Sequence, residues 1–318
     1  MFRIFVAILA VSTLTAGAER ADAATISDTF SSFFVLGDSL SDPGNLPTGR
    51  FTDGRVWAEP ISDRFTAAGT TRNYAKGGGR AVGSDFNDLG TQVLEFSRDV
   101  SDGSVTLGSR PLVAIWMGAN DVFSALFPDP TRPGGDVINP VDAARAVVRT
   151  IADLARDGIS RDFLVFDLPD QGETPLARFT STEELLRTRS DAFNTTLTAE
   201  LAMLAPDITT YTVPIAERFA ELLDDPSSIG LGDFTLPCNT SPPADRTKCQ
   251  FIADATGADI PPPAVLFGFN DEVHPNSVVH AEITRVASAA VVPLPASAPL
   301  MLAGFGALLI VRRRRAAA

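Results

Sequence analysis

Runs of apolar residues followed by turn residues divide the chain into predicted strands. Three of them, 33–36, 112–117 and 163–167, lead directly into Gly-Asp-Ser, Gly-Ala-Asn-Asp and Leu-Pro-Asp. A fourth run, 208–213, is interrupted by Thr-Thr-Tyr-Thr. Continuous apolar strands are typical of a parallel sheet that is covered on both faces.

Helical patterns lie between these strands. Asn139 can cap a helix with Pro140 at its first position, and apolar residues follow at three- and four-residue spacing until Gly158 ends the pattern. Alternating strands and helices predict a doubly wound α/β domain.

Two further helices are predicted downstream. Ser181 and Glu184 have capping-box spacing for a helix whose apolar face begins at Leu185 and continues to Leu204. A last helix is predicted over 276–289. Residues 224–264, rich in Pro, Asp and Ser, are predicted to form a long surface loop that could cover a site.

The N-terminus has the pattern of a secretory signal peptide. A short apolar run follows Arg3, and small residues lead to Ala21-Asp22-Ala23. We expect residues 1–23 to be removed, with Ala16-Gly17-Ala18 as a second possible cleavage site. The apolar run is too short to span a bilayer.

The C-terminus carries an apolar segment and then four arginines. The 16 residues from Ala296 to Val311 would form a helix of roughly 24 Å, shorter than the ~30 Å hydrocarbon core. The arginines would stay on the cytoplasmic side, so a plain tail anchor is one interpretation. With its Val-Pro-Leu-Pro-Ala start, the segment 292–318 resembles VPLPA-type PEP-CTERM sorting signals, which implies processing by an exosortase-type enzyme, a transient membrane helix and delivery to the cell surface or exterior.

Composition and charge narrow the function. The chain has 318 residues, 45% of them hydrophobic, and a formal net charge of −13, which repels phosphate backbones and argues against nucleic-acid binding. Two Cys and two His cannot form a four-ligand Cys/His zinc site without carboxylates. We expect no metal and no cofactor.

The two cysteines lie in the long loop. Because both termini predict an exported protein in an oxidising compartment, Cys238 and Cys249 can form a disulfide there. Two free thiols are the alternative.

Any histidine-dependent chemistry must use His274 or His280. His280 lies inside the last predicted helix, where a packing or surface role is expected. His274 follows Asp271 by three residues, and on one tight turn a carboxylate can fix the tautomer of an imidazole. Alone this spacing is weak, because a solvated loop has the same pattern.

Ser39 is the candidate nucleophile. It follows the first predicted strand at a sharp turn, and ligand sites in open α/β sheets lie at the carboxyl ends of strands. A helix starting at Ser39 would aim backbone N–H groups at developing negative charge. The alternative is a plain helix cap.

Two further segments can supply donors to the same crevice. The glycine-rich turn at 77–79 lets backbone N–H groups approach a ligand, and Asn120 follows the second strand. Backbone N–H groups of Ser39 and Gly78 with the Asn120 amide would form an oxyanion hole.

Together these segments resemble, in order, the four conserved blocks of the GDSL, or SGNH, esterases and lipases. The blocks here are Gly37-Asp38-Ser39-Leu40, Gly78, Gly118-Ala119-Asn120-Asp121 and Asp271-Glu272-Val273-His274-Pro275. The segment 49–57 is also similar to a stretch of the bacterial and plant-type branch. The resemblance implies a three-layer α/β/α fold over residues 24–291, with Ser39 as nucleophile, His274 as base and Asp271 as its orienting carboxylate. Its spacing from Asn73 favours Gly78 over Gly77 as the oxyanion glycine.

The sequence therefore predicts an exported esterase or lipase that acts through an acyl-Ser39 intermediate. The ester substrate would be a lipid, a short acyl ester or an acetylated polysaccharide. An O-deacetylase of extracellular polysaccharide, or a non-catalytic surface or matrix protein on an esterase fold, are the alternatives.

Overall fold

The computed structural model describes residues 25–129, 137–237 and 267–291. The predicted signal peptide, the 292–318 segment, Cys238 and Cys249 lie outside these residues. Within the described part of the chain, no helix is both long and apolar enough to cross a membrane.

The central sheet is parallel, with strand order β2-β1-β3-β4-β5. Its strands are β1 (Ser32–Gly37), β2 (Thr71–Asn73), β3 (Pro111–Trp116), β4 (Asp162–Phe166) and β5 (Thr209–Val213). The four predicted strands are confirmed as β1, β3, β4 and β5. The sequence pattern missed β2, a three-residue edge strand on which no residue is fully buried.

The helices are, in chain order, α1 (Ile26–Thr29), α2 (Ala58–Ser62), α3 (Leu89–Ser101), α4 (Ala119–Phe123), α5 (Pro140–Arg156), α6 (Pro175–Thr180), α7 (Glu183–Leu201), α8 (Ile215–Asp224) and α9 (Ser277–Val291). The predicted start of α5 is confirmed, since the Asn139 side chain accepts a hydrogen bond from the Val141 N–H. The last predicted helix corresponds to α9.

Helices cover both faces of the sheet. Strand β2 lies on one side of β1, and β3, β4 and β5 lie on the other side. The connection from β1 to β2 therefore runs in one direction along the sheet, and the later connections run in the opposite direction. Because crossovers between parallel strands are right-handed, α2 lies on one face and α3, α5 and α7 lie on the other. The side chains of β1 show both layers. Phe33 packs on Trp57 next to α2, and Phe34 packs on Phe96 of α3. The fold is the predicted three-layer α/β/α sandwich.

The predicted capping box before α7 is wrong. Ser181 adopts a left-handed conformation (φ 55°) at the end of α6, and Thr182 precedes α7 without a side-chain cap. Of the predicted face, Phe193 and Leu197 are buried, but at the start of the helix Leu186 is fully buried and Leu185 is 45% exposed.

Two short parallel strands, β6 (Asp233–Pro237) and β7 (Phe267–Phe269), form a separate pair. The described part of the predicted 224–264 loop therefore includes a strand. The pair lies next to α8 and α6, and β7 leads directly into the turn that carries His274.

Candidate active site

Ser39 and Asn120 lie at the same edge of the sheet. Ser39 follows β1 and Asn120 follows β3, and these two strands are parallel neighbours. The predicted helix at Ser39 is wrong, because residues 38–41 form a turn in which the Ser41 N–H donates to the Asp38 carbonyl at 3.0 Å. The turn leaves Ser39 8% exposed, lining a cavity above the sheet.

Residues 270–276, here named the His turn, form a closed loop between β7 and α9. Phe269 pairs with Pro275 in an antiparallel bridge, and the Asn270 N–H donates to the His274 carbonyl at 2.7 Å. Inside the loop, Asp271 Oδ1 accepts hydrogen bonds from the N–H groups of Val273 and His274 at 2.9 and 2.8 Å. One carboxylate therefore both closes the turn and lies beside the imidazole.

The structure brings Ser39, Asp271 and His274 into one hydrogen-bonded line. His274 Nδ1 lies 2.8 Å from Asp271 Oδ2, and His274 Nε2 lies 2.8 Å from Ser39 Oγ, although Ser39 and His274 are 235 positions apart. With the Nδ1 proton held by the carboxylate, Nε2 is the acceptor that faces the hydroxyl. This arrangement allows proton transfer from the Ser39 hydroxyl to His274.

Asp271 stays ionised despite its partial burial. Burial alone would raise its pKa, but the hydrogen bond and charge of His274, with the two backbone N–H donors, outweigh burial and hold the pKa below its ordinary value. The carboxylate therefore remains an acceptor for the Nδ1 proton throughout the neutral range.

Asn120 and Gly78 line the same cavity as Ser39. Asn120 Nδ2 lies 2.9 Å from the Gly79 carbonyl and 3.4 Å from Asp38 Oδ2. The first contact anchors the amide, and the second is long enough for a ligand oxygen to compete for that N–H.

The adjacent glycine, Gly77, differs from Gly78. The Gly77 N–H already donates to Asp42 Oδ2 at 2.9 Å, and a Cβ at this position would lie 2.2 Å from the Phe51 ring. Gly78, with φ of 72°, lines the cavity. The geometry therefore favours Gly78 as the glycine with access to a bound ligand.

Buried carboxylates that the sequence analysis missed fix these loops. Asp42, fully buried, accepts from Gly77 and from the N–H groups of Gly44 and Asn45. Asp121, also fully buried, accepts from the N–H groups of Ala81 and Val82. Asp121 stands inside the third motif block and Asp42 comes two residues after the first, and these positions are the sequence signal that could have revealed them.

Burial raises the pKa of two acids in these loops, Asp38 to about 6 and Asp121 to about 7. Backbone N–H donors partly offset the effect at both sites. The loops therefore contain carboxyl groups for which ionisation has a free-energy cost, in contrast to Asp271.

The 49–57 segment supports the His turn from the other side. The Phe51 ring lies 5.0 Å from the His274 ring, centroid to centroid, and the Phe51 carbonyl accepts from Asn270 Nδ2 at 3.2 Å. Asp53 Oδ1 accepts the Ser277 N–H at 2.7 Å, at the first turn of α9. Trp57 is fully buried and is a core residue.

His280 has the packing role expected from its place in α9. It is 1% exposed, and its Nδ1 faces the Trp57 N–H at 3.4 Å. Burial lowers the pKa of His280 to about 3, and the charge of His274 acts in the same direction. His280 is therefore neutral in the folded protein near neutral pH.

The cavity at Ser39 has a volume of about 650 Å³. Its lining includes Ser39, Gly78, Asn120 and His274. Within the described ranges, no group of three or more His, Cys, Asp or Glu residues is placed to hold a metal ion.

The chain is similar to a family model and to several known proteins. Residues 33–286 match the family model described as GDSL-like Lipase/Acylhydrolase. The phosphatidylcholine-sterol acyltransferase of Aeromonas hydrophila is 28% identical over 345 aligned positions, which cover 91% of this chain and 96% of that protein. The secreted effector protein SseJ of Salmonella typhimurium is 26% identical over 77% of this chain, and the match spans 60% of SseJ.

Among solved structures, the acetyl xylan esterase AlAXEase aligns with a TM-score of 0.45 and 12% identity over 82% of this chain and 99% of that one. The family model covers most of the chain and both ends of the hydrogen-bonded line. The chain therefore belongs to the GDSL-like lipases and acylhydrolases and is a hydrolase acting on ester bonds.

Proposed function

We propose that this protein is an exported serine esterase or lipase in which Ser39 is the nucleophile, His274 the general base and Asp271 the orienting carboxylate. The observation that carries the proposal is the continuous line from Asp271 Oδ2 through both His274 nitrogens to Ser39 Oγ, with 2.8 Å at each step. A nucleophile, a base and a group that orients the base, within hydrogen-bond distance of each other, are the general requirement for nucleophilic acyl transfer.

The first half-reaction forms an acyl-enzyme. Ser39 Oγ attacks the ester carbonyl carbon while its proton passes to His274 Nε2. The tetrahedral intermediate then expels the alcohol, which takes that proton as the carbon–oxygen bond breaks. Asp271 stabilises the transient imidazolium by holding the Nδ1 proton.

The second half-reaction regenerates the enzyme. A water molecule gives a proton to His274 Nε2 as its oxygen attacks the acyl carbon. The bond to Ser39 Oγ breaks, Oγ recovers the proton, and the carboxylic acid leaves. In both half-reactions the N–H groups of Ser39 and Gly78 and the Asn120 amide would donate to the carbonyl oxygen as it becomes negative.

An alcohol can replace water in the second step. The similarity to a protein named phosphatidylcholine-sterol acyltransferase, over 91% of this chain, supports acyl transfer to an alcohol as a second candidate activity. Product analysis with and without an added alcohol distinguishes the two, since transfer yields a new ester and hydrolysis yields the free acid.

Export and sorting remain part of the proposal on the strength of the two terminal patterns. Removal of 1–23 would leave the hydrolase domain 24–291, followed by the VPLPA-type segment 292–318. N-terminal sequencing and the intact mass of protein recovered outside the cytoplasm test both cleavages, and an uncleaved N-terminus on such protein would contradict the first.

A fluorophosphonate probe tests the nucleophile directly. The wild-type protein should be labelled, and Ser39→Ala should abolish labelling together with ester hydrolysis while the melting temperature changes little. Ser41→Ala is the matched control, because Ser41 lies in the same turn but is fully buried, and its Oγ accepts from Trp57 Nε1. Persistent labelling of Ser39→Ala would overturn the assignment.

A further inference from the structure

The cavity at Ser39 extends well beyond the reacting groups. Its lining also includes residues of α8 together with Phe234 of β6 and Phe269 of β7. The part of the substrate that fits this space decides which ester the protein accepts. The inference about that part of the substrate rests on the proposed function.

Helix α8 presents apolar residues on two faces. One row is buried in the domain core, and a second row lines the cavity. Ile215 and Leu222 are buried in the core, Ala216, Ala220 and Leu223 line the cavity, and Phe219 is both buried and part of the cavity lining. The alternation of three- and four-residue steps means that α8 separates the core from the cavity with an apolar surface on each side.

Three aromatic rings of the cavity lining, those of Phe219, Phe234 and Phe269, pack against one another. Phe234 lies 5.4 Å from both Phe219 and Phe269, ring centroid to ring centroid. Gly268 permits this packing, because a Cβ there would lie 2.3 Å from the Phe234 ring. These packed rings therefore form a fixed apolar part of the cavity lining.

Of the four Asp, Glu and Arg residues that line the cavity, Asp170, Glu173 and Arg178 are in ion pairs, and Asp224 is the fourth. Arg187 contacts Asp170 at 2.8 Å and Glu173 at 2.7 Å, and Glu173 also pairs with Arg178. Groups engaged in this way have less capacity to bind the hydroxyls of a sugar chain. The other residues that line the cavity are mainly apolar.

One lining residue shows that the apolar surface is incompletely covered. Phe127 lines the cavity yet is 57% exposed. An apolar ligand in the cavity would remove this ring, and the cavity-lining residues of α8, from water.

We propose that the cavity binds the acyl chain of the substrate and that the protein prefers medium- and long-chain aliphatic acyl esters to acetyl esters. An acetyl group, at about twice the ~30 Å³ share of a water molecule, would leave most of the 650 Å³ cavity unfilled. Burial of each further methylene increases binding by roughly fourfold.

The test is a chain-length series of p-nitrophenyl esters from acetate to decanoate, each below its aggregation concentration, with the full chain. The alcohol is constant, so only the acyl group varies. We expect kcat/KM to rise at least about tenfold from acetate to octanoate. Equal or higher kcat/KM for acetate, or faster release of acetate from acetylated polysaccharide, would overturn the proposal.

Ala220→Trp tests the location of the chain. The indole would occupy cavity volume next to Leu223, so the octanoate-to-acetate ratio should fall at least about tenfold. Glu217→Trp places the same side chain on the exposed face of α8, outside the cavity lining, and should keep the wild-type ratio. If both variants keep that ratio, the acyl chain binds elsewhere and the proposal fails.

Two further measurements keep these outcomes separate. Fluorophosphonate labelling shows whether the Ala220→Trp site is folded, and Ala220→Leu provides a smaller obstruction if it is not. Ser39→Ala must lose hydrolysis of every ester in the series if the proposed function holds. A flat chain-length profile that still depends on Ser39 would therefore reject only the acyl cavity.

Discussion

The two sides of the site are built in different ways. The strand-end loops (residues 37–42, 77–79 and 118–121) carry Ser39, Gly78 and Asn120 on three separate segments, held together by long-range bonds to buried carboxylates. The His turn carries Asp271 and His274 within four residues, and its own carboxylate closes it.

The two regions differ in whether the residue that holds the backbone in place also takes part in the reaction. In the strand-end loops, the acids that position the backbone, such as Asp42 and Asp121, are not the groups that face the cavity. In the His turn, Asp271 does both, and it is ionised because its donors outweigh burial. A change at Asp271 should therefore affect chemistry most, whereas the strand-end loops allow a donor to be removed without loss of the loop.

Asp271→Asn should produce the largest effect. The amide oxygen can still accept the backbone N–H groups of the turn, so the melting temperature should change little. The amide nitrogen would face His274 Nδ1 and favour the tautomer with a proton on Nε2, which cannot accept from Ser39. We expect kcat to fall by roughly 10³–10⁴, measured with a short-chain ester.

A fall of less than tenfold in kcat for Asp271→Asn would mean that the carboxylate only closes the turn. Asp271→Ala, which removes both roles, should be no less impaired in kcat and should also unfold at a lower temperature.

Asn120→Ala should have the next largest effect. The negative oxygen exists only near the transition state, so loss of one donor should lower kcat by about 10²–10³ and leave KM nearly unchanged. The lost bond to the Gly79 carbonyl should cost only about 1 kcal/mol of unfolding free energy.

Asn120→Asp is the matched variant, since it keeps the size but removes the donor, and it should be as impaired as alanine. If instead Asn120→Ala keeps kcat within tenfold while its melting temperature drops by several degrees, Asn120 is a structural residue and the oxyanion donors lie elsewhere.

His280→Gln should have the smallest effect on activity, within about twofold near neutral pH, because this imidazole touches no reacting group. Its effect on stability should depend on pH. The folded pKa is about 3, whereas that of an unfolded histidine is about 6.5. The unfolded chain therefore binds more protons between these values, and wild-type stability is lost as pH falls below 6.5.

The glutamine variant lacks this titration. Its unfolding free energy relative to wild type should increase by up to about 3 kcal/mol between pH 7 and pH 4, as measured by chemical denaturation. A constant difference across this range would show that His280 becomes protonated in the folded protein.

The sequence predicted the layered fold well, and its errors have clear physical causes. Strands β1, β3 and β4 were visible as apolar runs because they are buried on both faces, whereas in β5, at the sheet edge, only Val213 is buried. Helix α3 was missed because two of its buried residues, Gln92 and Asp99, are polar and break the apolar period. Gln92 is buried because it bonds both the N–H and the carbonyl of Gly37 at the end of β1.

Local chemistry in the sequence determined the strands, the cap of α5 and the residue types at the site, since these depend on near neighbours and on burial of a whole segment. The His turn is similarly local, because Asp271 and His274 are three residues apart. Only the tertiary structure placed Ser39 2.8 Å from His274, set Asn120 against Gly79 and buried Asp42 and Asp121. These contacts join segments far apart in the chain, and their geometry depends on how the parallel strands align and how the loops pack above them, which no short sequence pattern encodes.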